Sequence, residues 1–175
     1  MRGPLGSQHG RSGLGRSQVA IASGDREIPG VVAPPPLIYA TGLLLGWGLQ
    51  RLWPRPWLPV SWARPLGLAL LLAGLIGIAG VAAFRRAGTT PNPWRPTTSL
   101  VTGGPYRFTR NPMYVGFTLW YLAATSWINT LWPLPLLPLV LLVMQLGVIA
   151  REEAYLRRRF GREYEEYSAR VRRWL

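Results

Sequence analysis

The sequence contains no cysteine and no lysine, and its single histidine is His9. The missing cysteines rule out disulfides, thiolate metal sites and a thiol nucleophile. His9 lies in a Gly/Ser-rich stretch, which leaves no basis for a histidine general base or a histidine-rich metal centre, and no metal is expected. Acid is just as scarce where it matters. Asp25 and Glu27 come before the apolar part, the other five carboxylates start at Glu152, and residues 28–151 have none. All twenty basic residues are arginine, for a formal charge of +13. A basic excess suits either nucleic acid or an anionic membrane surface. With 49% hydrophobic residues and nine Trp, the composition favours the membrane and excludes a nucleic-acid partner.

Residues 1–33 are rich in Gly, Ser and Arg, with no sustained apolar period and no signal-peptide core, and read as a disordered tail. The remainder, 34–175, reads as one all-α unit, an integral membrane bundle of about four transmembrane helices. The apolar runs are 37–53, 65–84, 112–128 and 131–150. Roughly 17–25 apolar residues span a bilayer as a helix. Only residues 129 and 130 separate the last two runs, which predicts a tight helical hairpin. Ala69, Ala73 and Gly77 recur every four residues and predict a small-residue face for close helix approach. Pro133, Pro135 and Pro138 crowd a helix start, where a missing amide proton costs least.

Four spans put Arg2, Arg11, Arg16 and Arg26, the arginines of 85–110, and those from Arg151 onward on one side. Arg51, Arg55 and Arg64 fall on the other. The positive-inside rule then places both termini in the cytoplasm. In the tail 151–174, Leu156, Phe160, Tyr164, Tyr167, Val171 and Trp174 recur at spacings of three and four and mark one helix face. Such a helix can lie on anionic lipid. That leaves Glu152 and Glu153 without a purpose, because a carboxylate gains nothing at an anionic surface unless it has a partner.

Two stretches carry a resemblance. "GPYRFTRNPMYVG" at 104–116 is followed by "REEAYLRRRFGREYEEYSARV" at 151–171, and "FRRAGTTPNPWRPTTSLVTGGPYRFTRNP" at 84–112 reinforces the first. Their order and spacing resemble the isoprenylcysteine carboxyl methyltransferase family, especially its short bacterial members. The match runs from about residue 36 to the C-terminus. The resemblance implies S-adenosylmethionine (SAM) as cofactor at the cytosolic face of a bacterial inner membrane. It also implies a lipophilic or small-molecule methyl acceptor, with the lipid bilayer as surroundings. Eukaryotic members usually carry Arg-His-Pro where this chain has Arg110-Asn111-Pro112, so a role needing an imidazolium does not carry over.

On that resemblance the cofactor-binding residues are Tyr106, Arg110, Asn111, Pro112, Tyr114, Gly116, Glu152 and Glu153, with Arg110 and Glu153 as the catalytic pair. Arg110 suits the cofactor's carboxylate or an anionic acceptor, because Arg–carboxylate pairing is often bidentate. Amide protons after Pro112 suit an anion as well. Either Glu152 or Glu153 suits ribose hydroxyls, and their 100° separation on a helix predicts that one of them faces the site. Tyr106 and Tyr114 suit an adenine or sulfonium pocket. The plainer reading makes Arg107 and Arg110 boundary charges, and Tyr106, Tyr114, Trp120 and Trp127 interfacial aromatics. It pairs Glu153 with Arg157 at i, i+4. Two other classes stay open: an NADPH-dependent membrane reductase of the sterol type, and a non-catalytic membrane protein.

Overall fold

The computed structural model describes residues 28–175, and of the tail expected over 1–33 residues 1–27 lie outside them. All regular secondary structure among the described residues is helical, without a strand. In chain order the helices are α1 (Pro35–Leu52), α2 (Val60–Ala73), α3 (Ile76–Arg86), α4 (Pro112–Ile128), α5 (Pro133–Met144), α6 (Ala150–Phe160) and α7 (Arg162–Arg170). A 3-10 turn, Gly104–Arg107, precedes α4, and a π segment, Gln145–Ile149, joins α5 to α6.

Two of these helices are continuous enough to count as long rods. Val60–Arg86 (27 residues) and Pro133–Phe160 (28 residues) are long and apolar enough to cross a membrane. At 1.5 Å per residue each reaches roughly 40 Å. Large apolar side chains stand exposed along the helices, among them Leu44, Trp62, Leu72, Ile78, Leu139 and Leu146.

Helix α4 is central and packs on α1, α2, α3 and α5. Its limits follow from chemistry at both ends. Pro112 occupies the first turn, where no amide partner is lost. Asn129 closes the helix at φ 52°, a left-handed conformation that asparagine tolerates better than most residues. The Asn129 carboxamide accepts from the backbone amides of Trp57 and Leu58 and donates to the Leu58 carbonyl. This ties the hairpin turn to the loop between α1 and α2.

The seam between α2–α3 and α4 differs from the expected stripe. Ala69 and Ala73 are exposed, and the buried line is Ala63, Gly67, Gly74, Gly77, Gly80 and Ala83. These six lie three, four or seven residues apart, which keeps them on one face of a 3.6-residue helix. Gly67 meets Ala123 and Trp127, Gly74 meets Trp120, Gly77 meets Gly116, and Gly80 meets Pro112 and Met113. On the opposite side of α4, the Tyr39 hydroxyl donates to the Tyr114 carbonyl at 3.3 Å. The Tyr121 hydroxyl donates to the Pro133 carbonyl at 2.7 Å. These bonds lock α1 and α5 against α4.

Three further boundaries depart from the sequence pattern. Helix α2 starts at Val60, ahead of the expected 65, because Pro65 is accommodated inside it. The expected single tail helix over 151–174 is broken at Gly161 (φ 50°) and ends at Arg170. Residues 28–33 are packed: the Val32 amide donates to the Gly147 carbonyl at 3.1 Å, and Arg151 Nη1 donates to the Gly30 carbonyl at 2.8 Å.

Candidate functional site

The end of the bundle holding the C-terminus of α3, the N-terminus of α4 and all of α6 contains a cavity of about 90 Å³. Its walls include Tyr106, Arg110, Asn111, Tyr114, Glu152 and Glu153, with Tyr155, Tyr164 and Tyr167 from the tail. Pro29 and the proline-rich loop from Thr90 to Val101 close the remaining sides.

The local sequence explains how the motif reaches this cavity. Gly104 sits at φ +60°, which an L side chain rarely adopts, and it turns the chain into the 3-10 helix. Tyr106 is thereby buried edge-on against Phe84, with ring centroids 5.5 Å apart. The Tyr167 hydroxyl donates to the Tyr106 carbonyl at 2.8 Å. Phe108 turns outward and is 74% exposed. Thr109 is fully buried and turns the chain inward again, its Oγ1 accepting from the Asn111 amide at 3.2 Å.

The apolar face of the tail, for which an anionic lipid surface was the plainer reading, packs on the protein. Tyr164 and Tyr167 form a core cluster with Ala83, Val101 and Tyr106, and Leu156, Phe160 and Val171 pack against it. Burial raises the phenol pKa of Tyr106, Tyr164 and Tyr167 above the ordinary value. At Tyr164 the Glu153 charge adds to the rise, while Arg110 and Arg157 oppose it. All three remain neutral hydrogen-bonding groups at physiological pH.

Arg110 and Glu153 meet directly. Arg110 Nη2 lies 3.4 Å from Glu153 Oε1, with the two side chains only 12% and 6% exposed. Arg173, which the sequence reading did not single out, grips the same carboxylate more tightly. Its Nε donates to Glu153 Oε1 at 2.9 Å and its Nη2 to Oε2 at 2.6 Å. The bonds to Glu153 raise the Arg173 pKa further above its ordinary value. Glu152 is held separately, accepting from the Tyr114 hydroxyl at 2.7 Å.

Several expectations are corrected here. Both Glu152 and Glu153 line the cavity, where the 100° argument expected one, because the cavity wraps around the start of α6. Glu153 pairs with Arg110 and Arg173, and Arg157 instead lies over the Tyr164 ring at 5.9 Å. Gly116 is not on the cavity wall: it faces Gly77 at the α3–α4 crossing. Pro112 is buried beside Gly80 as a helix start and not on the wall. Trp120, never assigned to the site, lies outside the cavity, its Nε1 donating to the Leu71 carbonyl at 3.2 Å. Tyr155, Tyr164 and Tyr167 were legible only as members of an apolar stripe or not at all, and Arg173 had no sequence signal.

Two buried polar atoms on the wall have no hydrogen-bond partner: Arg110 Nε and the Tyr106 hydroxyl. A buried donor without a partner costs about 1–3 kcal/mol. Both atoms therefore suit a hydrogen-bond acceptor on a ligand, such as a carboxylate oxygen.

The chain is thus an all-helical, apolar bundle, two of whose helical stretches are long enough to cross a membrane, with a charged cleft at one end. The family model for phospholipid methyltransferases matches residues 62–163, and the chain belongs to that family. It is 45% identical over 64 residues to an uncharacterized protein of Haemophilus influenzae, covering 36% of this chain and 100% of that one. It is 40% identical over 72 residues to the protein-S-isoprenylcysteine O-methyltransferase of Schizosaccharomyces pombe, covering 41% of this chain and 30% of that enzyme. A third relative is the cobalt-zinc-cadmium resistance protein CzcN of Cupriavidus metallidurans, 31% identical over 111 residues, with 63% and 50% covered. The chain thus spans at most half the length of these two named relatives. No solved structure matches it.

Proposed function

We propose that this chain is an integral membrane methyltransferase of the isoprenylcysteine carboxyl methyltransferase type that uses SAM. It crosses the membrane four times, through α1, α2–α3, α4 and α5–α6, with both termini and the cavity in the cytoplasm. The observation that carries the reading is the convergence of Arg110, Tyr106 and Tyr114 with Glu152 and Glu153 on one cavity. Two unpartnered buried donors, Arg110 Nε and the Tyr106 hydroxyl, are left there for a ligand.

When bound, SAM supplies an electrophilic methyl group for in-line displacement. The protein's share is placement, which can supply most of the acceleration in such a reaction. Arg110 receives the amino-acid carboxylate through its planar guanidinium. Glu152, whose second oxygen is not engaged by Tyr114, accepts from ribose hydroxyls. The Tyr106 hydroxyl offers a neutral donor at the same wall. Asn111, whose Nδ2 donates to the Arg173 carbonyl at 2.9 Å, holds the backbone at the start of α4. An acceptor that arrives ionised needs no protein base, in keeping with a motif that carries Asn111 where eukaryotic members usually have histidine.

At about 90 Å³ the cavity is smaller than the roughly 300–1,000 Å³ of typical ligand pockets. The wall that can yield is the loop 88–103. Its side-chain tether to the tail is the Thr97 amide donating to the Tyr155 hydroxyl at 3.0 Å. Lifting this loop opens the cavity to the cytoplasmic side. The acceptor is lipophilic or small, and an apolar groove of about 660 Å³ between α4 and α5 gives a lipophilic one a route along the bundle.

The test is a titration of detergent-solubilised protein with SAM and, in parallel, with NADPH, followed by thermal shift. SAM should stabilise the protein and NADPH should not. Stabilisation by NADPH alone would replace this reading with the reductase.

A further inference from the structure

The segment after α7 folds back across the motif as a strap. The Arg110 amide donates to the Arg172 carbonyl at 2.9 Å. Thr109 Oγ1 and Asn111 Nδ2 both donate to the Arg173 carbonyl, at 3.2 and 2.9 Å. Trp174 packs against the core cluster of Tyr39, Tyr114 and Met144. Arg173 is therefore anchored on both sides of its own backbone, and its side chain is delivered to Glu153.

The resulting arrangement has an uneven division of bonds. Arg173 takes both oxygens of Glu153, at 2.9 and 2.6 Å, while Arg110 stands off at 3.4 Å. One carboxylate between two guanidiniums leaves a net charge of +1, and Arg110 Nε remains buried without a partner. An arginine held near a carboxylate that is already satisfied keeps its donors for something else. We propose that Arg173 is a positioning residue: by saturating Glu153 it keeps the Arg110 guanidinium available for the carboxylate of the ligand's amino-acid arm. This rests on the methyltransferase reading above.

The consequence of removing Arg173 follows from the same geometry. Without the Arg173 guanidinium, which is itself 38% exposed, the nearest remaining cation to Glu153 is Arg110, 3.4 Å away. The carboxylate then turns and takes the Arg110 fork bidentately, which withdraws it from any incoming anion. The loss falls on ligands that carry a carboxylate and spares those that do not.

Two thioether nucleosides separate these cases: S-adenosylhomocysteine, which carries the amino-acid arm, and 5′-methylthioadenosine, which lacks it. Calorimetry on purified wild-type protein and Arg173→Ala should show at least a tenfold loss of affinity for the first and less than a twofold change for the second. Arg173→Lys should recover only part of the loss, because an ammonium cannot reproduce the bidentate fork. Arg173→Gln, which keeps bulk and one hydrogen bond, gives the same comparison if the alanine variant does not survive purification. Equal losses for both nucleosides would reduce Arg173 to a structural residue and overturn the proposal, as would unchanged binding of S-adenosylhomocysteine. Wild-type protein that binds neither nucleoside refutes the methyltransferase reading, and the proposal falls with it.

Discussion

Gly77 and Gly116 face one another where α3 crosses α4, yet adding a methyl group to each should have very different effects. A Cβ built on Gly116 lies 2.7 Å from the Gly77 Cα, 2.8 Å from its amide nitrogen and 2.9 Å from the Gly74 carbonyl oxygen. All three are backbone atoms of the neighbouring helix, so no side chain can swing aside. Comfortable separation is about 3.5–4.0 Å, so the helices must part by close to 1 Å. A gap of 0.5–1 Å already forfeits a quarter to a half of each dispersion contact along the seam. A Cβ on Gly77 instead finds the Gly116 Cα at 3.3 Å and the Met113 carbonyl oxygen at 3.4 Å, which a shift of a few tenths relieves. Alanine gains about 1 kcal/mol over glycine inside a helix at either site. Gly77→Ala should therefore be neutral to slightly stabilising, whereas at Gly116 the same gain is set against an overpacking cost of about 1–3 kcal/mol. The propensity gain is common to both sites, so for a chain of this size the difference corresponds to roughly 2–12 °C in apparent melting temperature. Fluorescence-detected thermal unfolding of the two variants and wild type in one detergent measures it. Equal melting temperatures for the two variants would refute the close α3–α4 crossing.

Asn111→His should keep S-adenosylhomocysteine affinity within about threefold, because an imidazole N–H can replace Asn111 Nδ2 in donating to the Arg173 carbonyl; a larger loss means the amide has another task. Reporter fusions at the C-terminus and within 55–62 should report opposite sides of the membrane, and a C-terminal reporter on the far side would overturn the four-span topology. Tyr155→Phe removes the side-chain acceptor of the Thr97 amide and should loosen the loop. The chain lacks cysteine, so one cysteine placed at Asn92 and another at Arg162 allow distance measurement by spin labelling. The distribution should broaden in the Tyr155→Phe background, and an unchanged distribution would show that the loop is held by other contacts.

Helix α4 was legible to the residue, 112–128, because its ends are written in local chemistry: a proline at the start and an asparagine that takes a left-handed turn at the finish. The meeting of Arg110 with Glu153 was legible too. A short turn after α4 returns the chain to the face from which α4 began, so the glutamates arrive at the depth of the motif. What local pattern hid was choice among equals. Ala69 and Ala73 fit a four-residue repeat as well as the true seam does, and only the position of α4 selects Gly67, Gly74, Gly77 and Gly80. The break at Gly161 was missed because the apolar stripe continues in register on either side of it. Arg173 was invisible for a different reason. Its role comes from a strap that turns back after α7 and meets residues 109–111 and 153, and no helical period encodes that return.

The central claim is that this cavity holds a nucleoside cofactor through Arg110. Isothermal titration of S-adenosylhomocysteine into detergent-solubilised wild-type and Arg110→Ala protein tests it most directly. Arg110 is buried, and losing a hydrogen bond to a charged group there costs about 1.5–3 kcal/mol, or roughly ten- to hundredfold in affinity. The account predicts one site per chain for wild type and a loss of that size in the variant, with an unchanged circular dichroism spectrum. Binding by Arg110→Ala at wild-type affinity would contradict it.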